Sequence, residues 1–336
     1  MKDNILIRVD YLPANGLGHI VRQINLINNL NLKTSFFFIL ANKNSISLKD
    51  ILPKNCKIIS LKSYENGKIN IQKDCSITLK YLKKYNCSNL FVDNFKLSKN
   101  WYKKIYKNFK NIIIFHDFMT NFKGKIIVTN ILKNNKDKKI FPMNELIFLN
   151  RKIINKRVIK KNLNFAKCNI DFGSIDQNNL TEFVLDTILK NNLSFTNINV
   201  FLGPYNNNAI NIKNKFGKNK NIYFSSLKFP RKYDSKSGIY FGNCGITATE
   251  NYFLGKISFI FLSSKNQYQR MKYLKIKPNV NYIGSVFSKR YANIKLLNNI
   301  NINKYISKFD DKKIMNIKNN EIDKLKQYIS NFKSLL

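Results

Sequence analysis

Arginine, histidine, tryptophan and acidic residues are all scarce in this chain. Only seven of its 59 basic residues are arginine, it has two histidines and one tryptophan, and 19 acidic residues leave a formal charge of +40. A charge of that size suggests phosphate neutralisation and nucleic acid. The shortage of arginine argues the other way, because bidentate contacts to phosphates and base edges favour the guanidinium group. The lysines are also spread over almost the whole chain, and clusters such as those at 133–139 and 213–220 read as solvated loops or helix faces. The bias toward Asn, Ile and Lys is read as compositional drift. Nucleic acid is therefore not expected as a partner, whereas a positive field that collects an anionic substrate is.

The five cysteines, Cys56, Cys75, Cys87, Cys168 and Cys244, are odd in number and far apart, with no C-x-x-C pair. That excludes a disulfide framework and a structural zinc site of ordinary spacing. The longest apolar run, Phe36 to Ala41, is far below a membrane-spanning length, and the first residues are too short an apolar stretch for a signal peptide. A cytoplasmic protein with no membrane span is expected.

What is present is a core. Hydrophobic residues make up 44% and aromatics 13% of 336 residues, enough for two domains. Short runs rich in Ile, Val and Phe alternate with amphipathic segments, the pattern of parallel strands joined by crossover helices. Strands are predicted at Asn4–Val9, Ser35–Ala41, Lys57–Leu61, Asn89–Asp93, Asn111–Phe115 and Lys125–Asn130, with helices at Ile20–Leu30, Ile71–Tyr85 and Trp101–Phe109. The basic stretch Asn150–Lys167 reads as a connector. The alternation then resumes, with strands at Cys168–Gly173, Asn197–Gly203, Asn221–Phe224, Gly238–Gly242 and Ile257–Leu262 and helices near Leu180–Lys190, Ala209–Phe216 and Thr247–Leu254. The expected organisation is an α/β domain over residues 1–155, a second over 165–318 and a closing helix over 319–336. Two such halves imply a cleft where the carboxyl ends of both sheets share a ligand.

Candidate chemistry sits at the strand ends. NGLGHIVR follows the first strand. Its Gly16 and Gly18 bring backbone amides toward an anion, and His19 at the helix N-terminus is placed as a neutral base. Arg22, one turn on, can pair with a phosphate or carboxylate. The alternative reading is a helix start with glycines for close packing, and spacing alone does not choose. DFGSIDQNNLT (Asp171–Thr181) is a second strand, turn and helix start, with Asp176 or Asn178 as the cap. In GNCGITATE, Gly245, Thr247 and Glu250 suit a diphosphate and ribose hydroxyls, or equally a capped helix. Asp93 and Asn94, and His116 and Asp117, end two strands. Asn266 and Gln267 can hydrogen-bond a sugar or cap a helix.

Together, RVDYLPANGLGHIVR, FVDNFKLSKNW, DFGSIDQNNLT, GNCGITATENYFLGK and SSKNQ resemble, in order and spacing, the UDP-2,4-diacetamido-2,4,6-trideoxy-β-L-altropyranose hydrolases of pseudaminic acid biosynthesis. These are relatives of spore-coat polysaccharide proteins and of glycosyltransferases with two Rossmann-like domains facing a cleft, the GT-B type. The resemblance covers roughly Ile5 to Gln267. It implies that His19 activates the water that attacks the anomeric carbon with inversion, and that Gly16, Gly18, Arg22, Asp93, Gly245, Thr247, Glu250, Asn266 and Gln267 bind substrate. Trp101 matches the family's tryptophan. Ser174 stands where the family usually has glycine, and Thr249 where it has an aromatic residue. The implied partner is a small-molecule UDP-sugar, with no cofactor and no metal, and a monomer is expected. The expected reaction is hydrolysis of a UDP-activated amino-deoxy sugar. A GT-B glycosyltransferase using a UDP-sugar is the first alternative, and a non-catalytic sugar-nucleotide or nucleic-acid binder the second.

Overall fold

The structure, a computed structural model of the chain, describes residues 4–13, 16–42, 47–65, 67–115, 126–129, 140–156, 162–226, 236–286 and 301–336. Two compact units emerge: Met1–Phe148 with Leu325–Leu336, and Leu149–Lys324.

The first unit runs β1 (Asn4–Val9), α1 (Gly18–Leu30), β2 (Phe37–Ala41), β3 (Cys56–Ser60), a small hairpin of β4 (Tyr64–Glu65) and β5 (Lys68–Ile69), α2 (Ile71–Tyr85), β6 (Cys87–Asp93), α3 (Lys99–Ile105), β7 (Asn111–Phe115), β8 (Ile126–Thr129) and β9 (Ile140–Pro142). Its sheet is parallel throughout, in the order β3-β2-β1-β6-β7-β8-β9. β1 and β6 are buried almost end to end, as expected of strands covered on both faces. The strand order reverses between β1 and β6. In such sheets this is the point where loops diverge and leave a crevice outside the carboxyl ends.

The second unit runs α4 (Arg151–Ile154), β10 (Asn164–Asp171), α5 (Leu180–Lys190), β11 (Asn197–Leu202), α6 (Ala209–Phe216), β12 (Ile222–Ser226), β13 (Ser237–Asn243), α7 (Ile246–Phe253), β14 (Ile257–Leu262), α8 (Tyr268–Leu274) and β15 (Val280–Ser285), followed by helices Ile302–Ser307 and Asp311–Lys333. The order β12-β11-β10-β13-β14-β15 is again parallel and again reverses once, between β10 and β13. Ile170, Val200, Ile239, Phe241 and Phe259 from its strands meet Val184, Leu185 and Ile188 of α5 in one core.

Asparagine does much of the work glycine does elsewhere. Among the described residues four of the six non-glycine positions with positive φ are Asn31, Asn86, Asn179 and Asn192. Asn31 and Asn86 end α1 and α2 in the left-handed conformation, which asparagine tolerates better than branched residues do. The stretch read as a connector instead contains α4 and the start of β10. Asn164–Lys167 is only partly buried, so no apolar run marked it. The closing helix begins at Asp311, not near residue 319, and Lys318 anchors it. This buried ammonium donates to the carbonyls of Phe253 at 2.9 Å, Ile153 at 3.4 Å and Lys156.

Candidate active site

At the switch point of the first unit, α1 follows β1 and Asp93 ends β6. Asp93 is fully buried. Its carboxylate accepts from Arg22 Nε at 2.5 Å, a second Arg22 nitrogen, Gln23 Nε2 at 2.8 Å and His19 Nδ1 at 2.7 Å. Burial alone would raise the Asp93 carboxyl, but the Arg22 guanidinium and then His19 outweigh it and hold it well below the usual carboxylate range. An ionised carboxylate only accepts, so the proton between the two groups belongs to His19 Nδ1. Nε2 then carries the lone pair. The His19 side chain is 20% exposed. Such a ring can take a proton from a ligand while Asp93 supports it from behind.

The spacing of α1 explains the cluster. His19, Arg22 and Gln23 lie at i, i+3 and i+4 and so share one face, which points at the end of β6. Arg22, expected to pair with a phosphate or a carboxylate, is a buried partner of the Asp93 carboxylate. Its guanidinium carbon lies 6.0 Å from the Phe95 ring centroid and 5.6 Å from that of Phe148. Asp93, expected to bind substrate, is likewise behind the imidazole. Among the described residues no side chain caps the start of α1, and no acidic residue stands in its first turn. Gly16 has φ 67°, which favours glycine. Gly18 is different: a Cβ there would meet nothing within 4 Å among the described residues, so packing does not demand a glycine.

A second buried cluster underlies this edge. Arg8 on β1 donates to Asp10 Oδ1 at 2.5 Å and to Asp74 Oδ2 at 2.8 Å, and Trp101 Nε1 donates to Asp74 Oδ1 at 2.7 Å. Asn94 Nδ2 donates to Asp10 Oδ2 at 2.6 Å, the Asn42 amide N–H to Asp10 Oδ1 at 2.8 Å, and Ser63 Oγ to Asp74 Oδ2 at 2.7 Å. Burial lowers the Arg8 guanidinium, but Asp10 and then Asp74 reverse the effect and raise it above its ordinary value. Trp101, matched by resemblance to a family position, is fully buried here and bound to Asp74.

In the second unit the loops after β10 and β13 stand at the other switch point. Asp171 Oδ1 accepts from Gly173 N at 2.8 Å, and Asn243 bridges the loops, donating to Phe172 O at 3.0 Å and accepting from Gly245 N at 3.1 Å. Gly203 is required, since a Cβ would strike Ser174 O at 2.3 Å. Asp176 caps α5 by accepting from Leu180 N at 2.9 Å and Thr181 N at 3.0 Å. Gly245 is the N-cap of α7, which has no side-chain cap and no acid in its first turn. Thr247 and Glu250, three apart on α7, are half-buried, while Ala248 and Thr249 between them are buried. Gln267 Oε1 accepts from Ser263 N and Oγ, both at 3.1 Å, and Asn266 Oδ1 accepts from Ser264 Oγ, so both carbonyls shape their own turn.

Sequence reasoning did not single out Gln23, Phe95, Asn243 or Arg270. Arg270 is buried on α8 and approaches Cys244 O at 3.5 Å. Helical spacing from His19 marks Gln23; the others have no sequence signal of their own. His116 and Asp117 lie outside the described residues.

No family model and no curated protein sequence matches the chain. Solved structures do, along nearly the whole length. A glycosyltransferase from Rickettsia africae is 13% identical over 98% of this chain and 99% of its own, with TM-score 0.58. UGT89C1 of Arabidopsis thaliana, complexed with UDP-L-rhamnose, is 12% identical over 98% and 99%, with TM-score 0.63. The UDP-GlcNAc 2-epimerase of Methanocaldococcus jannaschii is 13% identical over 94% and 99%, with TM-score 0.53. With its two parallel sheets, each reversing once, the chain has the two-domain Rossmann-like GT-B fold. These likenesses also correct the expected reaction. The similar structures are named as glycosyltransferases and epimerases, and the expectation of hydrolysis is set aside. Among the described residues no helix is long and apolar enough to cross a membrane.

Proposed function

We propose that this chain transfers a sugar from a UDP-activated donor to an acceptor hydroxyl, with His19 as the general base. The observation that carries the reading is the His19–Asp93 pair at the switch point of the first sheet. In the reaction the acceptor oxygen bonds to the anomeric carbon and its proton passes to His19 Nε2. The bond from that carbon to the diphosphate oxygen breaks, and UDP leaves with the electron pair. A single displacement, with the acceptor oxygen attacking on the face away from the departing diphosphate, inverts the configuration. Asp93 holds the proton on Nδ1 and stabilises the imidazolium that forms, while Arg22 keeps Asp93 ionised.

Donor binding is assigned to the second unit. The uncapped start of α7 suits a diphosphate, and Thr247 and Glu250 beside it suit phosphate and ribose hydroxyls. UDP as the nucleotide is supported by the matching structures described with UDP-sugars. Gly18, where packing requires no glycine, leaves room for substrate beside His19.

The test is a panel of UDP-sugars incubated with and without hydroxyl acceptors, with UDP and the sugar product followed by NMR. UDP that forms only with an acceptor, together with a glycoside of inverted configuration, supports the reading. UDP released equally fast without acceptor, or an epimerised UDP-sugar with no transfer, overturns it.

A further inference from the structure

We infer that Asn94 is a positioning residue for His19: by clamping the turn after β6 it fixes the Phe95 ring that sets the imidazole's orientation. The inference rests on reading His19 as the base. One hydrogen bond from Nδ1 to Asp93 leaves the imidazole able to swing about that bond, and Nε2 would swing with it. A second contact must stop the swing. The Phe95 ring supplies it, edge-on to His19 with centroids 4.9 Å apart and planes at 80°.

Phe95 is itself held by its neighbour. Asn94 is 7% exposed, and both ends of its amide are engaged. Its Oδ1 accepts from Lys96 N at 2.9 Å and closes the turn around Phe95, while its Nδ2 donates to Asp10 Oδ2 at 2.6 Å. Asp10 cannot yield, because Arg8 and the Asn42 backbone hold its other oxygen and Arg8 is locked in turn on Asp74. The chain of contacts runs from the ion cluster through Asn94 and Phe95 to the base. None of these groups needs to touch substrate.

The experiment uses the full chain labelled with ¹⁵N-histidine. Its two histidines give two imidazole spin systems, and His116→Gln removes the other one. Wild type is expected to show His19 as a single tautomer, with a protonated Nδ1 and an unprotonated Nε2. Asn94→Asp keeps the acceptor toward Lys96 and removes the donor toward Asp10; Asn94→Ala removes both. In each, the two nitrogen shifts are expected to move toward each other or broaden, and kcat to fall on the order of ten- to a hundred-fold while KM for the UDP-sugar changes less than about two-fold. Phe95→Leu leaves Asn94 in place and is expected to act in the same direction, so it carries the test if the Asn94 variants do not fold. His19 shifts and linewidths unchanged in the folded variants overturn the inference, even where kcat falls. Transfer activity absent from wild type would overturn the function reading alone, since the imidazole spectrum reports positioning without turnover.

Discussion

Replacing Asp93 by Asn separates what this carboxylate does for the fold from what it does for His19. The buried Arg22 guanidinium loses its counter-charge, and a buried pair broken on one side costs about 3–5 kcal/mol. The amide oxygen of Asn still accepts one bond, which puts the expected loss near ~3 kcal/mol, or an apparent Tm lower by roughly 10 °C for a unit of this size. Catalysis suffers for a different reason. An amide N–H facing His19 forces Nδ1 to accept, moves the proton to Nε2 and removes the base, an effect on the order of 10³–10⁴ in kcat. The double variant Arg22→Met with Asp93→Asn removes the orphan charge and leaves an apolar stem between Phe95 and Phe148. It should recover most of the stability and none of the activity. Calorimetry and initial rates on the three proteins check this. A single variant with kcat within tenfold of wild type, or a double variant no more stable than the single, refutes the reasoning.

The two glycines of the first loop should respond oppositely. Gly16→Ala forces φ 67° on a residue with a Cβ and should cost about 1 kcal/mol by denaturant titration, whereas Gly18→Ala should be neutral or stabilising and yet raise KM or lower kcat. Burial raises all five thiols, Cys75 to about 11 and Cys56 and Cys87 to about 12. The unfolded chain gives up these protons near pH 9 and the folded chain keeps them. Their stabilising contribution is therefore full below pH 9 and is lost as pH rises toward those values, which unfolding titrations at pH 8 and pH 10 will show. Lys318 works the other way: burial, and then the charge of Lys156, lower its ammonium to about 8 from an ordinary value of 10.5. Between those values the unfolded chain binds more protons, so this group raises stability with pH by about 3 kcal/mol, and the difference between wild type and Lys318→Met should show that slope. Thr247→Val and Glu250→Gln should each weaken UDP binding about ten-fold by calorimetric titration.

The β/α alternation was legible because most strands are buried on both faces and read as short apolar runs: Asn4–Val9, Asn111–Phe115 and Ile257–Leu262 match the predicted bounds. β9 and β15 were not, since IFP is too short and VNYIGS is only partly buried. At the site, His19 stood out as a rare residue behind a Gly-x-Gly turn. Asp93 is legible as the end of its strand, but its pairing with His19 is not, because nothing in one sequence says that β6 lies beside β1. That adjacency makes the Asp93 carboxylate the partner of Arg22, for which the sequence leaves phosphate and carboxylate equally open. The ion cluster of Arg8, Asp10, Asp74 and Trp101 joins residues up to 93 positions apart and is visible only once the sheet is assembled.

The most direct test of the account is the transfer rate of His19→Gln with a reactive UDP-sugar and acceptor at saturation. The account predicts a loss on the order of 10³-fold or more in kcat, with UDP affinity unchanged because the nucleotide is assigned to the other unit. A variant that transfers sugar at the wild-type rate would contradict it.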